Sequence, residues 1–386
     1  MTTQFTFNTT RSIRFGSGVL AELPALTLPL AGPRVIVVTD PGMMGTGIVD
    51  RAVDFLRQGG IEVTLFSDVE ADPPESVVQS AVVAAQMAGV GGVIGLGGGS
   101  SLDVAKLVAL LAPGSEALSD IYGVGKARGP RLPLVLIPTT SGTGSEVTPI
   151  SIVTTGAAEK MGVVSPHLIP DLALLDPDLT LGLPPHVTAA TGIDAMVHAI
   201  EAYASASPNN NPLSRALACE ALRLMGRSLL RAVRDGRDAE ARADMLLGSM
   251  LAGQAFANSP VAAVHALAYP LGGHFHIPHG LSNALVLPHV LRFNAVVAHT
   301  PYADLAPLVF PDLLSLDGQR RAAAFIDGLA QLSADCGLPQ RLRDMGILSD
   351  ILPRLARDAM NQTRLLVNNP RPLEEPDALA IYSAAY

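Results

Sequence analysis

Only two cysteines occur, Cys219 and Cys336, and they lie far apart with no CxxC or CxxxC spacing. That scarcity excludes a zinc knuckle and a disulfide framework and leaves two reduced, buried thiols as the expectation. Charge is scarce too: 16% of residues are Asp, Glu, Lys or Arg, the net charge is −9, and the sequence has no run of clustered Lys and Arg. Nucleic acids and anionic membranes select such clusters, so neither is an expected partner, whereas a small molecule is. The stretch MTTQFTFNTTRSIRFGSG at the N-terminus lacks a basic head followed by an apolar core, so no signal peptide is expected. No run reaches the roughly 18 to 20 uninterrupted apolar residues of a membrane span. A cytoplasmic protein is therefore expected. Internal repeats and low-complexity tracts are missing as well, and SPNNNPLS (207–214) reads as a polar loop of turn residues.

What is present is a large supply of core-forming residues: 48% of 386 are hydrophobic, enough for a compact protein but too long a chain for one ordinary core. The first half alternates continuous apolar runs with helical patterns. RVIVVTD (34–40), IEVTLF (61–66) and GGVIGL (91–96) read as strands buried on both faces; IVDRAVDFLRQGG (48–60), ESVVQSAVVAAQMAG (75–89) and SLDVAKLVALLA (101–112) read as helices. Repeated strand–helix–strand units predict a parallel, Rossmann-like sheet. Beyond LTLGLPPHV (179–187) every long segment has helical periodicity, so the double proline at Pro184 and Pro185 marks the expected boundary between an α/β domain, 1–184, and an all-α domain, 185–386.

Two loops in the first half suit a nucleotide. In GVIGLGGGSSLDVAK (92–106), glycines 97 to 99 let backbone approach an anionic group while Ser100 or Ser101 could cap a helix whose N-terminus favours phosphate; a tight turn that needs glycine only for geometry is the competing reading. LPLVLIPTTSGTGSEVT (132–148) is a second buried strand that opens into hydroxyls and backbone donors, where a doubly wound sheet places its ligand crevice. Asp40 ends the first long strand; it suits a ribose diol and would repel a 2′-phosphate, favouring NAD over NADP, unless it merely starts the DPG turn.

Histidine is concentrated in HALAYPLGGHFHIPHG (265–280), where His265, His274, His276 and His279 are separated by Pro270, Gly272, Gly273 and Pro278, all expected to interrupt a helix. In TGIDAMVHAIEAY (191–203), Asp194 and His198 stand at i and i+4, one turn apart on one helical face. A histidine before the bend and one after it, His265 and His279, could converge on that pair, giving three nitrogens and one oxygen, a set suited to Fe(II) or Zn(II) with a position left for substrate. Capping or core hydrogen bonds would explain any one of these residues alone.

Taken together, GGGSSLDVAK, PTTSGTGSEVT, GIDAMVHAIEAY and VHALAYPLGG with IPHG fourteen residues beyond His265 resemble the iron-containing (group III) alcohol dehydrogenase family, over essentially the whole chain. The resemblance implies a dehydroquinate synthase-like architecture, with an N-terminal NAD-binding α/β domain followed by a helical metal- and substrate-binding domain. It also implies a homodimer or larger homo-oligomer that interconverts small alcohols and carbonyls with NAD and Fe(II), Zn(II) being the alternative ion. Carried over by position, Asp194, His198, His265 and His279 become the metal ligands. Gly98, Gly99 and Ser100 face the pyrophosphate. Thr139, Thr140 and Thr148 lie beside the cofactor, Asp40 lies near the adenosine ribose, and Asp72, Lys160 and Leu179 match other cofactor positions. Where many relatives have a histidine four residues after the third ligand, this chain has Tyr269; its ordinary pKa of about 10 makes it a poorer proton shuttle near neutrality, so His274 or His276 is the expected substitute in the relay. A hydroxyacid–oxoacid transhydrogenase with retained NAD and a non-catalytic NAD-binding protein are the alternatives to the alcohol dehydrogenase.

Overall fold

A computed structural model describes residues 4–156 and 159–386. Among the described residues the chain divides into two compact units: one spans Asn8–Gly182, and the other comprises Leu183–Tyr386 together with the stretch that ends at Phe7. Thr6 belongs to the second unit through its backbone, which exchanges hydrogen bonds of 2.9 Å with the Asn209 side chain.

The first unit is built on a six-stranded parallel sheet. Its elements in chain order are β1 (Ser12–Phe15), α1 (Leu23–Ala31), β2 (Arg34–Val38), α2 (Pro41–Met44), α3 (Ile48–Gln58), β3 (Glu62–Phe66), α4 (Glu75–Ala88), β4 (Gly92–Gly97), α5 (Gly99–Leu111), α6 (Leu118–Ile121), β5 (Gly123–Val124), β6 (Leu134–Pro138), β7 (Ile150–Thr155), β8 (Glu159–Val164) and β9 (Leu172–Leu175). The strand order is β1-β9-β6-β4-β2-β3. Because side chains alternate along a strand, the continuous apolar runs feed both faces of the sheet. Ile36 and Val38 of β2 pack with α4 and α5, whereas Val35 and Val37 pack with α1 and α3. Gly95 in β4 marks where α5 lies closest to the sheet: a Cβ there would stand 2.7 Å from the Ala105 Cβ and from Leu136.

Two features departed from the sequence reading of this unit. β1, paired in parallel with β9, has half-exposed residues and no apolar run to announce it. β7 and β8 form an antiparallel hairpin that joins β5 in a separate three-stranded sheet, an addition to the repeating strand–helix pattern.

The second unit contains α7 (Pro185–Ala204), α8 (Pro212–Arg234), α9 (Ala239–Asn258), α10 (Ala263–Phe275), α11 (His279–Val309), α12 (Gly318–Asp335), α13 (Leu352–Ala359), α14 (Thr363–Leu366) and α15 (Glu375–Ala385). Pro185 occupies the first turn of α7, where its missing N–H costs nothing. The expected break across 270–273 does not occur. Pro270, Gly272 and Gly273 all lie inside α10, and the chain turns instead at His276, whose φ of 54° places it in the left-handed region. One proline removes a single helical hydrogen bond, and the burial of Ala266, Leu267, Ala268 and Leu271 offsets that loss. Tyr382 of α15, fully buried, donates a 2.6 Å hydrogen bond to the Leu267 carbonyl and so pins α10 from a distant part of the chain. α11 is long and apolar enough to cross a membrane, yet 61% of its most apolar window is buried inside the protein. Pro288, Pro301, Pro307 and a non-helical Ala298 interrupt it, as suits a bent core helix.

Candidate metal centre and cofactor loops

Three helices of the second unit bring Asp194, His198, His265 and His279 together, with one ligand atom from each lying within 4.8 Å of the others. α7 supplies the first two from one face, one turn apart. α10 supplies His265 from its first turn, and His279 is the first residue of α11, after Pro278 has ended the bend. The Asp194 Oδ1 lies 3.9 Å from His265 Nε2 and 3.8 Å from His279 Nε2. The ring of His198 stacks between Phe256 at 4.4 Å and His265 at 4.8 Å. Asp194, His198 and His265 are buried, while the His279 side chain is 41% exposed, so the cluster opens to solvent on the α11 side.

Burial alone would raise the Asp194 carboxyl. The charges of His198, His279 and His265, with a hydrogen bond from Asn283, more than offset it and hold the group below the ordinary carboxylate range. Asn283 is fully buried and donates from Nδ2 to Asp194 Oδ1 at 2.5 Å, with His279 Nε2 at 3.3 Å from the same nitrogen. The His265 Nδ1 stands 2.6 Å from Glu201 Oε2, and its Nε2, also buried, has no hydrogen-bond partner among the described residues. A buried, unpartnered imidazole nitrogen beside a carboxylate and two further imidazoles is what a divalent cation requires.

In the first unit the two small-residue loops meet at the carboxyl ends of β4 and β6. Gly98 is the N-cap of α5 and no side chain caps that helix, so Ser100 and Ser101 lie inside the first turn and do not form the cap expected of them. The helix N-terminus therefore keeps its backbone donors available to an anion. A Cβ on Gly99 would meet Thr143 at 2.7 Å, and one on Gly98 would lie 3.8 Å from Thr140. The Thr139 N–H donates to the Gly97 carbonyl at 3.0 Å, which ties the second loop to the first. Asp40 starts the DPG turn and also reaches the first loop. Its Oδ1 accepts from the Met43 N–H at 3.1 Å, capping α2, and its Oδ2 accepts from Ser101 Oγ at 3.0 Å beside the glycine run. Asp72 and Lys160 pair at 2.7 Å, and Lys160 also bonds Thr154 at 2.9 Å. Leu179 is a buried part of the sheet core, packed with residues of β4 and β6.

The sequence profile described as iron-containing alcohol dehydrogenase matches residues 10–177, and that of the C-terminal part of the Fe-containing alcohol dehydrogenase family matches residues 188–386. The chain belongs to the iron-containing alcohol dehydrogenase family. It is 43% identical over 374 residues to long-chain-alcohol dehydrogenase 1 of Geobacillus thermodenitrificans (strain NG80-2), covering 96% of this chain and 94% of that one. A solved structure of 1,3-propanediol oxidoreductase superposes with a TM-score of 0.96 at 34% identity, covering 99% of this chain and 100% of that one. Sulfoacetaldehyde reductase from Bifidobacterium kashiwanohense, solved in complex with NAD+, superposes with a TM-score of 0.88 at 28% identity, covering 99% and 98%.

Within this iron-containing alcohol dehydrogenase the residues expected to relay a proton separate. The Tyr269 ring lies 5.9 Å from that of His279, one helical turn beyond His265 on the same face of α10. His274 does not join them: nine residues past His265 it points to the opposite side of the helix, where its Nε2 bonds Asp358 Oδ2 of α13 at 2.7 Å. His276, at the bend, is exposed.

Three positions escaped the sequence reading. Glu201 follows Asp194 by two helical turns and Asn283 follows His279 by one, spacings that were visible in the quoted motifs. Lys106, in GGGSSLDVAK, is a fully buried ammonium that donates to Thr148 Oγ1 at 3.1 Å and to the Ile150 carbonyl at 2.7 Å, with Asp103 at 3.6 Å. It anchors the end of the second small-residue loop to α5. Burial pushes Lys106 down to about 8 against the pull of Asp103 and Glu146, and burial pushes the Glu146 carboxyl up from 4.5 to about 7. Between those two Glu146 values the folded chain holds a proton that the unfolded chain releases, so this group's stabilisation is lost as pH rises through the window. In Glu146→Gln that loss is expected to vanish: the difference in unfolding free energy between the two proteins should change by about 2 kcal/mol between pH 5 and pH 8, read from urea midpoints.

Proposed function

We propose that the protein is an NAD-linked, metal-dependent alcohol dehydrogenase, acting in the cytoplasm as a homo-oligomer, that oxidises a primary alcohol to the aldehyde with reduction of NAD+ to NADH and release of one proton, or runs the reverse. The observation that carries the reading is the convergence of Asp194 and three histidines from three helices, with the His265 Nε2 buried and unpartnered. Asp194, His198, His265 and His279 would hold Fe(II), or Zn(II), which when bound supplies Lewis acidity to the substrate oxygen. The donor set, three imidazoles and one carboxylate without thiolate, fits either ion.

The chain's own residues do the remainder. Asp194 stays ionised and supplies negative charge to the site. Phe256, stacked on His198, keeps that ring from turning and presents an apolar surface beside it. The Tyr269 phenol, on the ligand-bearing face of α10 and near His279, is the group that would pass a proton at the exposed side of the cluster. In the α/β unit, the uncapped N-terminus of α5 with Gly98, Gly99 and Ser100 would take the pyrophosphate of NAD, and Thr139, Thr140 and Thr148 the adjoining groups. Asp40, fixed by Met43 and Ser101, would accept the ribose hydroxyls and repel a 2′-phosphate. Asp72 and Lys160 are proposed to meet the cofactor as an ion pair, and Leu179 to support that wall from the core. The names of the similar proteins span long-chain alcohols, a diol and a sulfonated aldehyde, so the substrate proposed is the class of aliphatic alcohols and aldehydes.

The test is NADH oxidation by chelator-treated, anaerobically handled protein against short and long aldehydes, before and after adding Fe(II) or Zn(II). Chelation should remove at least nine-tenths of the activity and one ion restore it. Full activity in metal-free protein would overturn the reading. Turnover only with two carbonyl-and-alcohol substrates present, and no release of NADH, would favour the transhydrogenase. A second expectation concerns the cofactor: Asp40→Asn keeps the cap but removes the charge, and should shift the kcat/KM preference at least about tenfold toward NADPH, equivalent to about 1.4 kcal/mol.

A further inference from the structure

Glu201 is buried among apolar residues of the second unit, yet it carries more hydrogen bonds than a helix cap requires. It lies on α7, one turn past His198. Its Oε1 accepts from the Val264 N–H at 2.7 Å, and its Oε2 accepts from the Ala262 N–H at 3.0 Å and meets His265 Nδ1 at 2.6 Å. The two backbone donors are among those left open at the start of α10, where negative charge is favoured by the helix dipole. The contact with the histidine ring is the one that capping does not explain.

We propose that Glu201 is a positioning residue for the metal centre, fixing His265 as its Nδ1–H tautomer so that the Nε2 lone pair faces Asp194 and the bound ion. The proposal rests on the metal reading above. A carboxylate accepts and cannot donate, so a nitrogen 2.6 Å from Oε2 carries the proton between them. The other ring nitrogen is then the one with the free lone pair. Nε2 stands 3.9 Å from Asp194 Oδ1 and has no hydrogen bond among the described residues. Rotation of the ring is blocked on one face by His198, 4.8 Å away. One helix thus bears two ligands and the group that aims a third, and the carboxylate behind the imidazole makes it a stronger donor to a cation.

Glu201→Gln keeps the size of the side chain and one acceptor but turns an N–H2 group toward other donors, so the carboxylate that fixes the ring tautomer is lost. The probe is Co(II), titrated into full-length, chelator-treated protein in competition with a chromophoric chelator, and followed by its visible d–d bands. Wild type should bind tightly, His265→Ala should not, and Glu201→Gln should bind 10- to 100-fold more weakly than wild type with altered bands. Equal affinity and an equal spectrum in Glu201→Gln would overturn the proposal. Failure of wild type to bind Co(II) more tightly than His265→Ala would instead overturn the metal reading. Should Glu201→Gln not fold, nitrogen NMR of histidine-labelled, metal-free wild type decides: a His265 ring protonated at Nδ1 supports the proposal, and one protonated at Nε2 removes it.

Discussion

Replacing His265 by alanine is expected to lower kcat by about 10³-fold and to reduce bound metal to background. This candidate ligand is held from several sides. It is buried, stacked on His198 and hydrogen-bonded to Glu201. Removing it leaves two imidazoles and a carboxylate, one of those imidazoles being the half-exposed His279. Stabilisation of the charge that develops on a substrate oxygen is worth several kcal/mol, and each 1.4 kcal/mol or so is a factor of ten in rate. Metal content after equilibrium dialysis and single-turnover NADH oxidation measure the two effects together. Partial rescue by added imidazole would show that the lost group acts as a ligand and not merely as a filler of space. Retention of stoichiometric metal at wild-type affinity would exclude His265 from the site.

The second large effect is expected from a residue with no side chain. Gly280 follows His279, and a Cβ at this position would stand 2.4 Å from the Ala190 carbonyl oxygen, 2.8 Å from its carbon and 3.2 Å from the Asp194 Cβ. Backbone cannot give way as a flexible side chain does. Gly280→Ala must push the start of α11 away from α7, and His279 and Asp194 are the groups carried apart. Overpacking of this kind costs about 1–3 kcal/mol of stability, and a 1 Å misplacement of reacting groups costs about 10²-fold in rate. The variant should fold, melt several degrees lower and lose about a hundredfold in kcat, with a larger loss of metal affinity than of NADH affinity. Glycine-like activity and metal affinity in the alanine variant would show that α11 has slack at its first turn.

These two positions mark what could and could not be seen in the amino-acid string. The strands β2, β4 and β6 declared themselves because a parallel sheet buried on both faces needs unbroken apolar runs, and those runs are rare by chance. Asp194 and His198 stood out by their i, i+4 offset, and His265 and His279 by the concentration of histidines around an expected bend. Glu201 and Asn283 obeyed the same offsets, but a Glu or an Asn on a helix is ordinary until the packing of α7 on α10 and α11 shows what faces it. Pro270 misled for a related reason: local propensity predicted a break, and the burial of the surrounding turn overrode it. The bend fell to His276 instead, a residue with no glycine-like preference for a positive φ. His274 was placed by its neighbourhood in sequence, whereas the helix continuing through it turned it toward Asp358. The exposed β1 and the hairpin β7–β8 carried too little hydrophobic signal to be read at all.

The hydrogen bond from Tyr382 to the Leu267 carbonyl also sets a sequence of events in synthesis. The helix that carries His265 is held by a residue made 115 positions later than its acceptor. At a ribosomal pace of about 5–20 residues per second, all four candidate ligands leave the peptidyl-transferase centre of the order of 10 s before the residue that braces α10. A nascent chain therefore carries these side chains before α10 has its final support. A site built on α10 would thus reach its final geometry only once Tyr382 has been made and α15 has docked on the Leu267 carbonyl.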